Sequence, residues 1–227
     1  YFKSWSSIPY CLSQLPVYTG FIMPPLKLLE TIEQQATELV WYSPDQVSKG
    51  IHLLNDPKQG ERPWIIPRTT GEFIYKTIRE NNARTVLELG TSIGYSALWI
   101  ASALVPVSGT LATLEKNTEK IAIAKNNLES LSDRVTINFH TGLIDETLAT
   151  ACNELGSIDI VFLDADRGHY HRYFEKIIPY LHEQSIIIAD NAINMQTRMK
   201  PFLELLELKG WKYEIIDIDN GILIATK

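Results

Sequence analysis

From Thr69 onward, short apolar runs alternate with stretches whose apolar residues recur every three or four positions. The runs predict strands over 85–89, 110–115, 135–140, 158–163 and 185–189. Helices are expected between them: 69–80, with Phe73, Ile74 and Ile78 on one face, then 95–104, 121–131 and 170–181. Strands that are apolar throughout and separated by helices imply a parallel sheet buried on both faces. The end departs from this rule. Runs over 211–218 and 222–226 are separated only by Asp219, Asn220 and Gly221, a connection that can join only antiparallel strands. The expected fold is α/β and doubly wound, with five parallel strands and a C-terminal antiparallel hairpin.

Residues 1–67 read differently, as a helical and loop extension ahead of a main domain over 68–227. After Pro24 and Pro25, residues Leu28, Leu29, Ile32, Ala36, Leu39 and Val40 keep helical spacing through Tyr42. Ser43-Pro44-Asp45 starts a second short helix, and 55–67 reads as loop through Asn55, Asp56, Pro57, Gly60 and Pro63. Trp5, Tyr10, Tyr18, Trp41 and Trp64 enrich this zone in aromatics. Core packing or a dimer contact is their ordinary explanation. The zone holds more apolar residues than its few helices can hide, so a homodimer is expected.

Composition bounds the function without naming it. With 227 residues, 45% of them hydrophobic and 21% charged, the chain suits one domain with a large core. Its net charge of −6, with no block of Lys or Arg, argues against nucleic acid or an anionic membrane as partner. No apolar run approaches the roughly 20 residues of a membrane span. The opening lacks the charged start and apolar middle of a secretion signal. Cys11 and Cys152 stand in no metal-ligand spacing and read as reduced thiols of a cytoplasmic protein. The chain begins at Tyr1 rather than Met, so preceding residues are expected.

Two clusters carry candidate chemistry. Strand 85–89 runs through Glu88 into Gly90-Thr91-Ser92-Ile93-Gly94 and then a helix containing Ser96. Gly90 and Gly94 permit a tight turn and close approach of a ligand to the strand's carboxyl end, as in Rossmann-like folds. A dehydrogenase turn needs G-x-G-x-x-G, and Thr91-Ser92 takes the place of its middle glycine. A plain strand-to-helix turn is the bland alternative. Glu115, ending the second strand, can accept both ribose hydroxyls of an adenosine. The second cluster is Asp164-Ala165-Asp166-Arg167 after the fourth strand and Asp190-Asn191 after the fifth. Neighbouring strand ends meet at one rim, so these oxygens can converge on a hard cation such as Mg²⁺, Ca²⁺ or Mn²⁺. Acids of an ordinary polar rim are the alternative.

The segment E-L-G-T-S-I-G-Y-S-A resembles the first motif of the cation-dependent O-methyltransferases, the group of catechol and caffeoyl-CoA O-methyltransferases and their bacterial relatives. The resemblance runs from about Pro67 to Lys227. It implies S-adenosylmethionine as cofactor, with Glu88 near the methionine moiety, Gly90, Thr91, Gly94 and Ser96 facing the cofactor, and Glu115 on the ribose. It also implies that Gly142 and Leu143, in His140-Thr141-Gly142-Leu143, border the adenine. It further implies Asp164, Asp190 and Asn191 as ligands of a divalent cation, and Asp164 and Asp166 as cofactor contacts. Well-studied members carry Lys directly after D-A-D as general base; this chain has Arg167. A guanidinium stays protonated near neutral pH, so Arg167 can position or stabilise an anion but is a poor proton acceptor. His169 and His171 are nearby candidates for that role, with surface histidines the ordinary reading.

The catalytic candidates are thus Asp164 and Arg167. The expected reaction is in-line methyl transfer from the sulfonium to a small hydroxylated acceptor, a catechol being favoured because its vicinal oxygens can chelate a cation. The segment 64–71 is best placed to shape the acceptor pocket. Three alternatives stand beside this reading: a cation-independent methyltransferase for another small nucleophile, one acting on a hydroxylated tRNA base, and a non-catalytic cofactor-binding protein.

Overall fold

The structure, a computed structural model, describes residues 23–38 and 63–227. Helix α1 spans Leu26–Glu38 and α2 spans Arg68–Glu80. The alternating portion follows as β1 Thr85–Leu89, α3 Tyr95–Leu104, β2 Thr110–Glu115, α4 Thr118–Leu128, β3 Thr136–Thr141, α5 Ile144–Leu155 and β4 Ile158–Leu163. The chain ends with α6 Tyr170–Ile177, β5 Leu181–Asp190, α7 Gln196–Leu208, β6 Lys212–Ile216 and β7 Ile222–Thr226. The strands form one seven-stranded sheet in the order β3-β2-β1-β4-β5-β7-β6. Strands β1 to β5 are parallel, and β7 lies antiparallel between β5 and β6.

Side chains alternate across each strand, so the sheet feeds two cores. Val86, Leu111, Ile160, Ile188 and Ile224 face a core completed by α1 to α4. Leu87, Leu114, Val161, Ile187 and Leu223 face a core completed by α5, α6 and α7. Helix α3 shows no polar face because all ten of its residues are buried.

Several expected boundaries shift, each for a local reason. Asn117 caps α4 through bonds from the Glu119 and Lys120 amides, so the helix starts before position 121. It closes at Leu128 into a 3₁₀ turn, and Val135 bonds back to the Leu131 carbonyl instead of opening β3. Helix α6 stops at Ile177 because a 3₁₀ turn containing Pro179 follows it. Strand β5 therefore begins at Leu181, well before position 185. Its early part is irregular against β4, where the Ser185 hydroxyl donates to the Ile158 carbonyl. Strand β6 is shorter than 211–218, since the Trp211 amide bonds to Leu206 and that of Ile218 to Ile216. The expected continuation of α1 past Glu38, the short helix from Ser43 and the loop up to 62 lie outside the described residues. Among those residues, no helix is long and apolar enough to cross a membrane.

Candidate active site

Chain order reverses direction across the sheet between β1 and β4, and such switch points open a crevice at the strands' carboxyl ends. Register places the predicted residues along that rim. Leu89 pairs with Leu114 on one side and Leu163 on the other, Glu115 pairs with Thr141, and Leu163 pairs with Ala189. The rim therefore reads Gly142, Glu115, Gly90, Asp164, Asp190 from left to right. Gly90 has φ +106, and a Cβ there would lie 2.2 Å from the Asp164 carbonyl oxygen. The glycine turn and the first acidic strand end are thus in direct backbone contact.

On the glycine side, Glu88 is fully buried. Thr113 donates to its Oε2 from 2.5 Å, so the short 2.5 Å contact between Thr91 and Thr113 has Thr91 as donor. The other Glu88 oxygen is buried without a hydrogen bond of good geometry, although the Ser96 hydroxyl faces the carboxyl. Burial pushes the Glu88 pKa up to about 7, against the lowering effect of Ser96 and Thr113. Glu115 is held by its own backbone surroundings: the Ser92 and Asn117 amides each donate to one of its oxygens at 3.0 Å. Gly142 donates to the Glu115 carbonyl at 3.0 Å, which ties the ends of β2 and β3 together. Leu143, at the N-terminus of α5, is an exposed apolar side chain.

Glu88 gives a pH prediction. Its folded pKa of about 7 exceeds its ordinary 4.5, so its contribution to stability is complete below about pH 4.5 and is lost as pH rises through 7. That loss is on the order of 3 kcal/mol for a shift of this size. Urea unfolding of the ligand-free protein at pH 5 and pH 8 should show it, and Glu88→Gln should shrink the difference by about that amount. An unaltered pH slope in the variant would assign the effect elsewhere.

On the acidic side, the Arg167 guanidinium donates to Asp164 Oδ1 at 2.6 Å and to the Ala165 carbonyl at 2.9 Å. Burial works against its charge, but Tyr170, Asp164 and Asp190 outweigh that and raise its pKa. Asp190 is buried, and its carboxylate accepts from the Asn191 side-chain amide. Burial first, then the charge of Asp164, pushes the Asp190 pKa up to about 7. Asp164 is also raised by burial, with Arg167 opposing. Beneath them lies the fully buried Tyr170, whose hydroxyl accepts from the Ala165 amide at 3.1 Å. Asp166 turns outward, where it meets Arg198 at 3.0 Å and His169 at 3.1 Å. His169 is thereby engaged by an acid in a 3₁₀ turn. Among the described residues, no three His, Cys, Asp or Glu side chains gather as a metal-binding group. The third member of the predicted set is Asn191.

Residues missed in the sequence border this rim. Glu33 of α1 accepts from Arg68 at the start of α2 (2.9 Å) and from the Tyr95 hydroxyl at the start of α3 (2.6 Å). Asp219 accepts from the Thr69 and Thr70 hydroxyls. No local pattern marks either acid, because their partners are far away in sequence. A shallow groove beside the edge strand β3, lined by Lys125, Leu128, Ile137 and Phe139, contains none of the predicted residues.

Residues 56–201 match the sequence model of a family described as O-methyltransferase. The chain belongs to the O-methyltransferase family. The match starts earlier than the resemblance seen from Pro67 and ends before β6 and β7. A catechol O-methyltransferase of Niastella koreensis is 29% identical over 169 residues, which cover 74% of this chain and 75% of that one. Caffeoyl-CoA O-methyltransferase 1 of Zea mays is 30% identical, over 59% of this chain and 54% of its own length. A catechol O-methyltransferase of Mycobacterium tuberculosis is 33% identical, over 54% of each chain. The chain thus spans about half the length of the latter two. Among solved structures, an O-methyltransferase of Bacillus cereus in complex with SAH shares the fold with a TM-score of 0.63 at 22% identity, covering 88% of this chain and all (100%) of that one. An O-methyltransferase of Streptomyces achromogenes involved in tomaymycin synthesis, in complex with SAM, does so with a TM-score of 0.64 at 21% identity, covering 86% and 95%. The mixed sheet with its antiparallel C-terminal strands is therefore the methyltransferase fold expected from the sequence.

Proposed function

We propose that this chain transfers a methyl group from S-adenosylmethionine to a hydroxyl of a small, catechol-like acceptor. The observation that carries this reading is the contact of Gly90 with the Asp164 carbonyl, which puts a donor-binding half and an acidic half side by side on one rim. On the donor half, the unbonded Glu88 oxygen suits the methionine end, and the backbone of Gly90, Thr91 and Gly94 with Ser96 lines the turn. Each Glu115 oxygen keeps a lone pair beyond its amide bond and can accept from a ribose hydroxyl. Gly142 and exposed Leu143 offer an apolar border for the adenine, while Asp166 would have to turn from Arg198 and His169 to add a further contact.

Asp164, Asp190 and Asn191 fit a hard divalent cation: their donors are oxygens, and two crowded acids with raised pKa values are left short of positive charge. When bound, such an ion lowers the pKa of an acceptor hydroxyl. Arg167 holds Asp164 in place and presents a permanent positive charge to an anionic acceptor oxygen, without serving as base. The same ion pair favours a second reading, cation-independent transfer, because Arg167 already offsets one acid.

Methyl transfer to 3,4-dihydroxybenzoate in excess chelator, before and after readdition of Mg²⁺ or Mn²⁺, separates the two. The expected result is activity lost in chelator and restored by the ion, with Arg167→Lys retained or faster. Full activity in chelator would establish the second reading, and transfer to tRNA but not to catechols would move the acceptor class. No turnover despite SAH binding would favour a non-catalytic role. We further expect a homodimer, read by light scattering. A reducing compartment such as the cytoplasm suits Cys152, whose buried thiol is pushed up to about 11 and stays inert.

A further inference from the structure

We infer that Asp219 is a positioning residue that latches the start of α2 to the loop leaving Asp190 and Asn191. Its Oδ2 accepts from Thr69 at 2.5 Å and from the buried Thr70 at 2.8 Å. Asp219 itself has φ +53, a left-handed conformation that Asp and Asn adopt more readily than other non-glycine residues. The next two residues grip the other side. The Asn220 carbonyl accepts from the Ile193 amide at 3.0 Å, and its side chain accepts from Asn194 at 2.7 Å. The Gly221 carbonyl accepts from the Ala192 amide at 2.8 Å, and a Cβ at Gly221 would lie 2.5 Å from Ile193.

The β6–β7 turn is therefore a clamp. One jaw holds α2, whose Arg68 reaches Glu33 and through it Tyr95 beside the glycine turn. The other jaw holds the segment immediately after Asn191, which also has positive φ (+64) and so depends on its surroundings for its orientation. Releasing the first jaw frees the turn, and the Asn191 side follows. The effect falls on the acceptor half, because the glycine turn and Glu115 have bonds of their own. This inference rests on the reading of Asp190 and Asn191 as the acceptor side.

The test compares Asp219→Ala with Asp219→Asn, which keeps an acceptor oxygen and tolerates positive φ. Amide hydrogen exchange over 192–194 should speed up about tenfold in the alanine variant, which loses both threonine hydrogen bonds. Its KM for 3,4-dihydroxybenzoate should rise roughly tenfold through misplacement of the acceptor, with SAH affinity by calorimetry within about twofold of the unaltered protein. Asp219→Asn should recover most of both. Unchanged exchange would overturn the latch, and faster exchange with unchanged KM would reduce Asp219 to a brace. SAH affinity falling in step with KM would mean general loosening and would also overturn it. If the unaltered protein methylates no catechol, the acceptor reading fails, while the exchange rates still decide whether Asp219 holds the loop.

Discussion

A Gly90→Ala variant is expected to lose SAH binding and to be destabilised by roughly 2–5 kcal/mol, the sum of positive-φ strain and forced overpacking. The methyl group would enter at 2.2 Å from the Asp164 carbonyl, a backbone atom with no rotamer to yield. Relief requires parting β1 from β4 at the rim, where the Asp164 amide bonds to the Leu89 carbonyl at 2.9 Å. Both halves of the site move together as a result. Gly210→Ala is the matched control, because Gly210 also has positive φ (+78) but nothing lies within 4 Å of its added Cβ. It should cost only the conformational part, about 1 kcal/mol. Urea unfolding and SAH calorimetry on both variants decide the matter. Equal losses in the two would mean that the contact with Asp164 is unimportant.

Asp190→Ala should reduce methyl transfer by about 100-fold or more, by removing a charged group from the reacting centre. Folding stability at pH 8 should hold or increase, since a buried acid raised to about 7 by burial and by Asp164 is repulsive once ionised. This split between activity and stability separates a functional acid from a structural one. Asp190→Asn should likewise relieve the repulsion while keeping one oxygen, and should retain more response to Mn²⁺ than the alanine variant. An Asp190→Ala protein with undiminished turnover would place the chemistry away from the acidic half. One that loses activity and stability in parallel would make Asp190 a folding residue.

Much of this molecule was legible along the chain. Hydrophobic period distinguishes strand from helix, so β1, β2, β4 and β7 fall at their expected residues. The short connection before Ile222 dictated an antiparallel end, although it runs over the five residues 217–221 rather than three, so that Ile216 and not Ile218 pairs with Ile222. Boundaries slipped where a side chain or a 3₁₀ turn closed an element, as at Asn117 and Pro179. The glycine turn and strand-end acids were also readable, because motif chemistry is local and a doubly wound sheet brings strand ends to one rim.

What the sequence by itself determined is the fold class, the family resemblance and the residues of the rim, since each depends on spacing within one or two elements. The tertiary structure alone decided the contacts among them. It put the Gly90 backbone against Asp164, the Arg167 guanidinium on the Asp164 carboxylate, Glu33 between Arg68 and Tyr95, and Asp219 on Thr69 and Thr70. Most of these pairs are separated by dozens of residues, and their bonds depend on crossing angles and rotamers set by packing the two cores. Hydrophobic period fixes which face of an element is buried, but it carries no information on which polar side chains meet where separate elements converge.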